Sequence, residues 1–264
     1  APKWCPPVFM DMTFYLFLEQ TLNGFQLGVM LFLMAAGLTL VFGIMNMINL
    51  AHGSFYMIGA YVAAYVSNVS GSFFIGVAVA LPAAALVGMI VETIALRKLY
   101  KHNHLDQVLA TFGLILFFNE LTSIIWGPQA LFVAIPPLFS GSVELIPNVP
   151  YPIYRLVIIG VGLFVALLMR TLIVKTRTGM LIRAGASNRE MVKALGVDID
   201  RLYTIVFGIG TLLAGLAGAM AGPILATEIG MGENIMILTF VVIIVGGIGS
   251  IRGALIGALL VGLV

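Results

Sequence analysis

Charged residues and cysteines are scarce in this sequence, and each shortage excludes a class of protein. Of its 264 residues, 61% are hydrophobic and only 9% are charged, against about 25% charged in an ordinary soluble domain. A water-soluble globule of this size needs more polar surface than so few charged side chains supply. This shortage excludes a soluble enzyme, a nucleic-acid-binding protein and a disordered chain. The single cysteine, Cys5, excludes an internal disulfide and a metal site built from several thiolates.

Sequence motifs of nucleotide hydrolysis and of common hydrolases are also missing. The dipeptide Gly-Lys never occurs, so the chain has no phosphate-binding loop of the G-x-x-x-x-G-K-[ST] type. There is no H-E-x-x-H, no G-x-S-x-G and no cluster of Cys and His residues. We therefore expect a protein that is not an enzyme and binds no cofactor or metal.

Long apolar runs are the dominant feature that is present. They predict an all-α, polytopic membrane protein with about eight spans, two of them broken or re-entrant, in a single transmembrane domain over residues 1–264. The runs cover 22–45, 54–67, 73–96, 108–126, 153–174, 202–225 and 235 onward, with a short interfacial helix expected from Thr13. Residues 253–264 make only about 18 Å of helix, too short to cross about 30 Å of hydrocarbon. We therefore expect the chain to be truncated at its C-terminus.

The basic residues predict the orientation of these spans. Three of the 13 follow the third run, at 97–101, and seven more lie between Arg170 and Arg201. Since Lys and Arg accumulate in cytoplasmic loops, both regions are predicted to be cytoplasmic. The connection 127–152 between them has no Lys or Arg and six prolines, which predicts an ordered external loop.

A polar segment, 46–54, interrupts the apolar sequence between the first two runs. It contains Asn46, Asn49, His52 and Ser54. Non-helical backbone at membrane depth is tolerated only where protein buries it or where it lines a water-filled cavity. We interpret the segment as a broken helix facing a translocation path, and the alternative is an ordinary tight cytoplasmic turn. His52 alone is no metal-site signal.

A second break and isolated acidic residues are further candidates for the path. Gly246, Gly247 and Gly249 interrupt the last apolar run, and interrupted segments in both halves of a transporter indicate a central site. Glu120 is an acid within a span and a candidate for lining the path. Glu92 is close to Arg97 and the cytoplasmic interface, so we expect a structural ion pair there.

Two further patterns concern packing and partner contacts. Gly210, Ala214, Gly218 and Gly222 lie four residues apart on one face of the sixth run, which favours close approach of another helix. Within the long inner loop, about 175–201, residues 189–195 predict a short amphipathic helix that ends at Gly196. Such a helix suits docking on a cytoplasmic partner, and the alternative is a solvated loop.

Three segments together resemble a known family. They are Gly-Ile-Met-Asn-Met-Ile-Asn-Leu-Ala-His-Gly at 43–53 with Tyr-Met-Ile-Gly-Ala-Tyr at 56–61, Arg-Glu through Leu-Gly-Val at 189–197, and Gly-Gly-Ile-Gly-Ser followed by Gly-Ala-Leu-Ile-Gly at 246–257. The combination resembles the permease subunit of branched-chain amino acid ABC importers, the hydrophobic amino acid uptake family. The resemblance covers the chain from about Thr13 to Val264.

This resemblance implies partners and a location. The family's permeases are inner-membrane subunits that normally pair with a second, homologous permease, two cytoplasmic ATP-binding subunits and a periplasmic binding protein. The resemblance also implies ATPase coupling through Arg189, Glu190, Met191 and Gly196, although the two alanines that usually follow the glutamate are replaced here. Arg252 stands where close relatives often have proline. Urea and short-amide importers belong to the same family, so the substrate stays open.

Two other classes of function compete with a permease subunit driven by a partner. One is a self-sufficient secondary transporter or channel, which also uses broken helices. The other is a membrane scaffold that transports nothing and needs no broken helices. The inner loop, and the lack of a chain of intramembrane carboxylates for ion coupling, favour the partner-driven permease.

The predicted orientation has a direct test by cysteine labelling. With Cys5 replaced, Ser140→Cys in the external loop should react with a membrane-impermeant thiol reagent in intact spheroplasts, whereas Ser187→Cys in the basic loop should not. The reason is the asymmetry of positive charge between these loops. Labelling at position 187 without labelling at position 140 would reverse the orientation.

Overall fold

The structure, a computed structural model, describes the backbone of residues 8–100, 102–146 and 149–264. Its helices are α1 (Val8–Met45), α2 (His52–Ser70), α3 (Phe73–Val91), α4 (Arg97–Leu99), α5 (His104–Trp126), α6 (Ile153–Lys175), α7 (Arg177–Ser187), α8 (Arg189–Ala194), α9 (Ile199–Ala221), α10 (Met231–Gly246) and α11 (Ile251–Leu263). A π-helical segment, Glu92–Leu96, joins α3 to α4. This architecture confirms the prediction of an all-α, polytopic membrane protein.

In the part of the chain that the structure describes, five helical stretches are long and apolar enough to cross a membrane. They are Phe14–Met45, Phe73–Leu99, His104–Trp126, Ile153–Lys175 and Ile199–Ala221, and α10 and α11 are shorter apolar helices. Each corresponds to a predicted apolar run. The second run forms a longer helix than its apolar residues predict, because polar residues at both ends join α2, which has 19 residues.

The start of the chain differs from the prediction of a separate interfacial helix at Thr13. Thr13 lies inside α1, a single helix of 38 residues. No proline interrupts the sequence between Thr13 and the first predicted span. The helical hydrogen-bond ladder therefore continues without a break into the membrane segment.

The loop between α5 and α6 is ordered, as its prolines predict. It contains an antiparallel hairpin of β1 (Ser142–Ile146) and β2 (Val149–Pro152), in which Ser142 lies opposite Pro152. An isolated bridge joins Leu131 to Thr227 in the connection after α9. This bridge connects the loop to the segment that leads into α10.

Two helices, α1 and α9, form the centre of the molecule. Their most apolar windows are 83% and 78% buried, against 17% for α5 and 22% for α6. In addition, α9 packs against α1, α2 and α3, and α11 packs along α1. α5 and α6 therefore lie at the periphery, with most of their apolar side chains facing outward.

Small residues permit the close packing around α9. Gly210 lies against the backbone of Gly37 in α1, and Gly218 lies against the backbone of Tyr56 in α2. Ala214 is fully buried, and Gly222 lies near Val133 in the loop between α5 and α6. Neighbouring Gly215 faces Gly59 of α2, and a Cβ at position 59 would overlap the backbone of Gly215.

Substitution of Gly59 should therefore separate α2 from α9. We expect Gly59→Val to lower stability by about 1–3 kcal/mol, the usual cost of overpacking. The matched control is Gly113→Val in the middle of α5, because a Cβ there meets nothing within 4 Å. Thermal unfolding in detergent should show a lower Tm for the first variant only, and equal Tm values would contradict close packing at this crossing.

Candidate translocation groove and coupling segment

An open groove lies between α2, α5 and α10, on the side of the molecule where α5 is loosely packed. Its volume is about 180 Å³. Its lining is Leu50, Gly53, Ser54, Met57, Ile115, Asn119, Gly232, Glu233, Met236, Ile237 and Phe240. α2 and α10 meet at its floor, where a Cβ on Gly232 would overlap the backbone of Gly53. The walls are mainly apolar, so the few polar groups determine what the groove favours.

A carboxylate and an amide form the polar end of this groove. The Asn119 Nδ2 donates to Glu233 Oε1 at 2.6 Å. Asn119 lies roughly 22 Å along α5 at 1.5 Å per residue, well inside the predicted span. Among the described residues, no Lys, Arg or His pairs with Glu233 within 4.0 Å. An exposed, unneutralised carboxylate at this depth is a strong candidate for contact with a cation or an ammonium group.

The first break brings one of its four predicted path residues into the groove. Ser54 lines the groove directly. Asn49 and His52 lie behind it, fully buried, with no hydrogen-bond partner for their side-chain polar atoms. Asn46 begins the break with a φ of 50° and is exposed. The break is thus buried in protein from Met47 to Ser54, apart from half-buried Ile48 and Leu50.

The second break lies elsewhere, at the turn between α10 and α11. Gly247 and Gly249 have φ values of 87° and 84°, which favour glycine. Gly246 packs against Gly253 across the turn, and Gly249 faces Gly43 near the end of α1. None of the three glycines lines the groove, and neither does Glu120, which is exposed on α5.

Sequence reasoning did not assign Glu233 to the site. The last predicted apolar run begins at position 235, which leaves Glu233 outside the predicted span. In the structure, α10 begins at Met231, and its first turn already lies against Gly53 of α2. The signal in the sequence is an acid in the first turn of an apolar helix. It indicates a site only when the structure shows that Asn119 lies beside it.

The inner loop folds into two short helices, α7 and α8. The predicted helix at 189–195 is confirmed as α8, where the Asn188 side chain accepts a hydrogen bond from the backbone N–H of Met191 at 3.0 Å. Gly196 follows with a φ of 83°, the left-handed conformation predicted at its end. Met191 and Leu195 are 59% and 76% exposed, so an apolar surface faces outward. α7 was not predicted, because its sequence has no long apolar run.

A buried carboxylate connects this region to the membrane helices. The predicted ion pair is confirmed, with Arg97 Nη2 3.0 Å from Glu92 Oε2 and Glu92 fully buried. Thr204 of α9 donates to the same oxygen at 2.7 Å, and the Tyr100 hydroxyl donates to Glu92 Oε1 at 2.8 Å. Burial raises the pKa of Tyr100, and the Glu92 carboxylate raises it further, so the phenol stays a neutral donor. We call these four residues the Glu92 cluster.

No metal centre is apparent in the part of the chain that the structure describes. Within it, no three His, Cys, Asp or Glu side chains come together as a metal-binding group. The chemistry of the groove is therefore that of one carboxylate, one amide, one hydroxyl and apolar walls.

Comparison with known proteins assigns this architecture to a family. The family model for the permease component of branched-chain amino acid transport systems matches residues 20–264. The chain is 34% identical to the high-affinity branched-chain amino acid transport system permease protein LivH of Escherichia coli K12, over 96% of this chain and 86% of LivH. It is 30% identical to the permease protein BraD of Pseudomonas aeruginosa, over 94% of this chain and 85% of BraD.

A more distant relative has a different named substrate. The ribose import permease protein RbsC of Escherichia coli K12 is 27% identical, over 87% of this chain and 71% of RbsC. No solved structure matches the chain significantly. The match of the family model over most of the sequence, with relatives of this identity, shows that the chain belongs to the family of branched-chain amino acid transport system permease components.

Proposed function

We propose that this chain is the membrane permease subunit of an ATP-binding-cassette importer for branched-chain or other hydrophobic amino acids. Family membership and the helical spans support a multi-pass membrane transport component. In the bacterial inner membrane, it would associate with a second permease, two cytoplasmic ATP-binding subunits and a periplasmic binding protein. The ATP-binding subunits would supply the hydrolysis for which this sequence carries no phosphate-binding loop.

The Asn119–Glu233 pair is the single observation that favours amino acids as the substrate class. A hydrophobic amino acid has an ammonium group and an apolar side chain. The exposed Glu233 carboxylate offers a partner for the ammonium, while Met57, Met236 and Phe240 offer apolar contacts. Urea could hydrogen-bond with the same polar groups, but it has no cationic group for the carboxylate and no apolar side chain for the walls. In this proposal, the groove faces the translocation path and the second permease subunit closes it.

The break residues have a supporting role in this proposal. Ser54 contributes a hydroxyl to the groove, and Asn49 and His52 supply unpaired polar groups behind it. Asn46 follows the end of α1, and Gly246, Gly247 and Gly249 form the turn between α10 and α11, which lies against Gly43. In this proposal they would flank the cytoplasmic exit of the path. Glu120 lies on the same helix as Asn119 but outside the lining.

Neutralising Glu233 without changing its shape tests the groove. In a complete importer with binding protein and ATP-binding subunits, we expect Glu233→Gln to lower uptake of radiolabelled leucine at least tenfold, because the ammonium loses its partner. Glu120→Gln is the matched control, since it makes the same change at an exposed position of α5. Wild-type leucine uptake by Glu233→Gln would contradict the assignment of the groove.

Coupling to ATP hydrolysis is assigned to α8. Glu190 is exposed and charged beside the exposed apolar side chains of Met191 and Leu195, a surface that suits a groove on a partner protein. α9 begins at Ile199, a few residues after Gly196, so movement of α8 displaces the start of the central helix. One turn further, Thr204 belongs to the Glu92 cluster, which extends the connection to α3.

We expect Glu190→Lys and Gly196→Val to uncouple the importer. The first reverses the charge of Glu190, which in this proposal faces the ATP-binding subunit beside Arg189. The second forces a β-branched residue into a positive φ of 83°, a strained conformation that costs about 1–3 kcal/mol. Both variants should insert normally but lose substrate-stimulated ATP hydrolysis.

A charge reversal elsewhere on the basic side controls for a general effect. Asp106→Lys is a comparable charge reversal in the first turn of α5 and should leave ATPase association at the wild-type level. If Glu190→Lys and Gly196→Val also retained the ATP-binding subunits and normal uptake, α8 would be a solvated loop helix and not the coupling element.

A further inference from the structure

Three arginines line one cavity where α1, α6, α7 and the start of α11 meet. Arg170, Arg183 and Arg252 all contribute to this cavity, whose volume is about 250 Å³. No Asp or Glu is among its lining residues. In the described part of the chain, none of the three arginines has a carboxylate within 4.0 Å. The cavity is therefore a concentration of positive charge that the protein itself does not neutralise.

The backbone holds these arginines at the membrane boundary. Arg170 lies near the end of α6, roughly 26 Å from its start at Ile153 at 1.5 Å per residue, and hence close to the limit of a hydrocarbon core about 30 Å thick. Arg183 donates a hydrogen bond to the backbone carbonyl of Ile173, which fixes its side chain beside α6. All three lie on the side of the basic loops, the predicted cytoplasmic side.

Arg252 occupies an unfavourable place for a cation. It is the second residue of α11, whose N-terminal end is capped by the Ser250 hydroxyl, which accepts from the Gly253 N–H at 3.1 Å. The positive end of a helix dipole disfavours a cation and favours an anion. A bound phosphate would reverse this penalty and would also pair with Arg170 and Arg183.

A second cavity adjoins the first and reaches the exposed surface of α11. It has a volume of about 400 Å³ and shares Arg170, Ile251 and Arg252 with the first. The remaining walls are Phe32, Ala166, Leu255 and Ile256, all apolar, and Ile256 is 61% exposed. The pair of cavities is thus cationic at one end and apolar at the other.

We propose that these two cavities bind one anionic phospholipid of the leaflet on the side of the basic loops. Its phosphate lies among Arg170, Arg183 and Arg252, and an acyl chain follows the apolar walls between α6 and α11. Basic pockets between membrane helices on the cytoplasmic side have this ligand preference. A free phosphate would use the arginines alone and would gain nothing from the apolar cavity. The lipid would hold the α10–α11 turn against α1, because Gly249 and Ser250 line the first cavity with Gly43.

Lipid binding to the purified full-length protein tests the proposal. Native mass spectrometry in a neutral detergent should show phosphatidylglycerol bound more tightly than phosphatidylcholine. Arg170→Gln and Arg252→Gln should each weaken phosphatidylglycerol binding about fivefold, the contribution typical of one basic residue near an anionic surface. Arg177→Gln is the matched control, because Arg177 is exposed on α7 outside both cavities and should leave binding unchanged.

Two soluble probes separate a lipid from a free anion. Inorganic phosphate and glycerol phosphate, added at millimolar concentration, should neither displace phosphatidylglycerol nor raise the Tm. Equal binding of phosphatidylglycerol to the wild type and to the Arg170→Gln/Arg252→Gln double variant would overturn the proposal. Displacement of the lipid by inorganic phosphate would overturn it as well, since the site would then recognise a soluble anion.

Discussion

Direct backbone contact around α9 is the constraint on which the rest of this structure depends. In a bilayer, apolar side chains gain little by leaving lipid, so helices associate through close packing of small residues. Gly37 against Gly210 and Gly59 against Gly215 fix α1 and α2 on two sides of α9. With those positions set, Gly53 meets Gly232, so that the start of α10 lies against the first turn of α2. The groove exists because this crossing leaves space beside a loosely held α5.

The same central helix connects the groove to the region assigned to coupling. α9 starts just after Gly196 and carries Thr204 into the Glu92 cluster, while further along it carries the glycines that contact α2. A displacement at the start of α9 therefore reaches α2, whose first turn lines the groove with Gly53 and Ser54. The packing is close where glycines meet and loose around α5, so the groove lies between the tightly packed centre and a peripheral helix.

Much of this fold is predictable from the sequence, because local chemistry determines it. Apolar runs define α5 and α6, and the capping residues and Gly196 define α8. The Glu92–Arg97 pair follows from two opposite charges close together near an interface. The roles of Glu233 and Thr204 are not predictable in this way, because their partners, Asn119 and Glu92, are 114 and 112 residues distant in sequence. Only the packing of α10 beside α5, and of α9 beside α3, gives those side chains their surroundings.

The π-helical segment at Glu92–Leu96 determines which way the side chains at the end of the third predicted span point around the helix axis. On a regular α-helix, positions five residues apart differ by about 140° around the axis, so Glu92 and Arg97 would face different directions. Here the Arg97 N–H bonds to the Glu92 carbonyl, the i to i+5 pattern of a π-helix, and both side chains share one face. The extra residue in this turn thus changes the direction in which the following side chains point around the helix axis. It turns Arg97 toward Glu92. The length of this segment, as much as its composition, is therefore a condition for burying a carboxylate there.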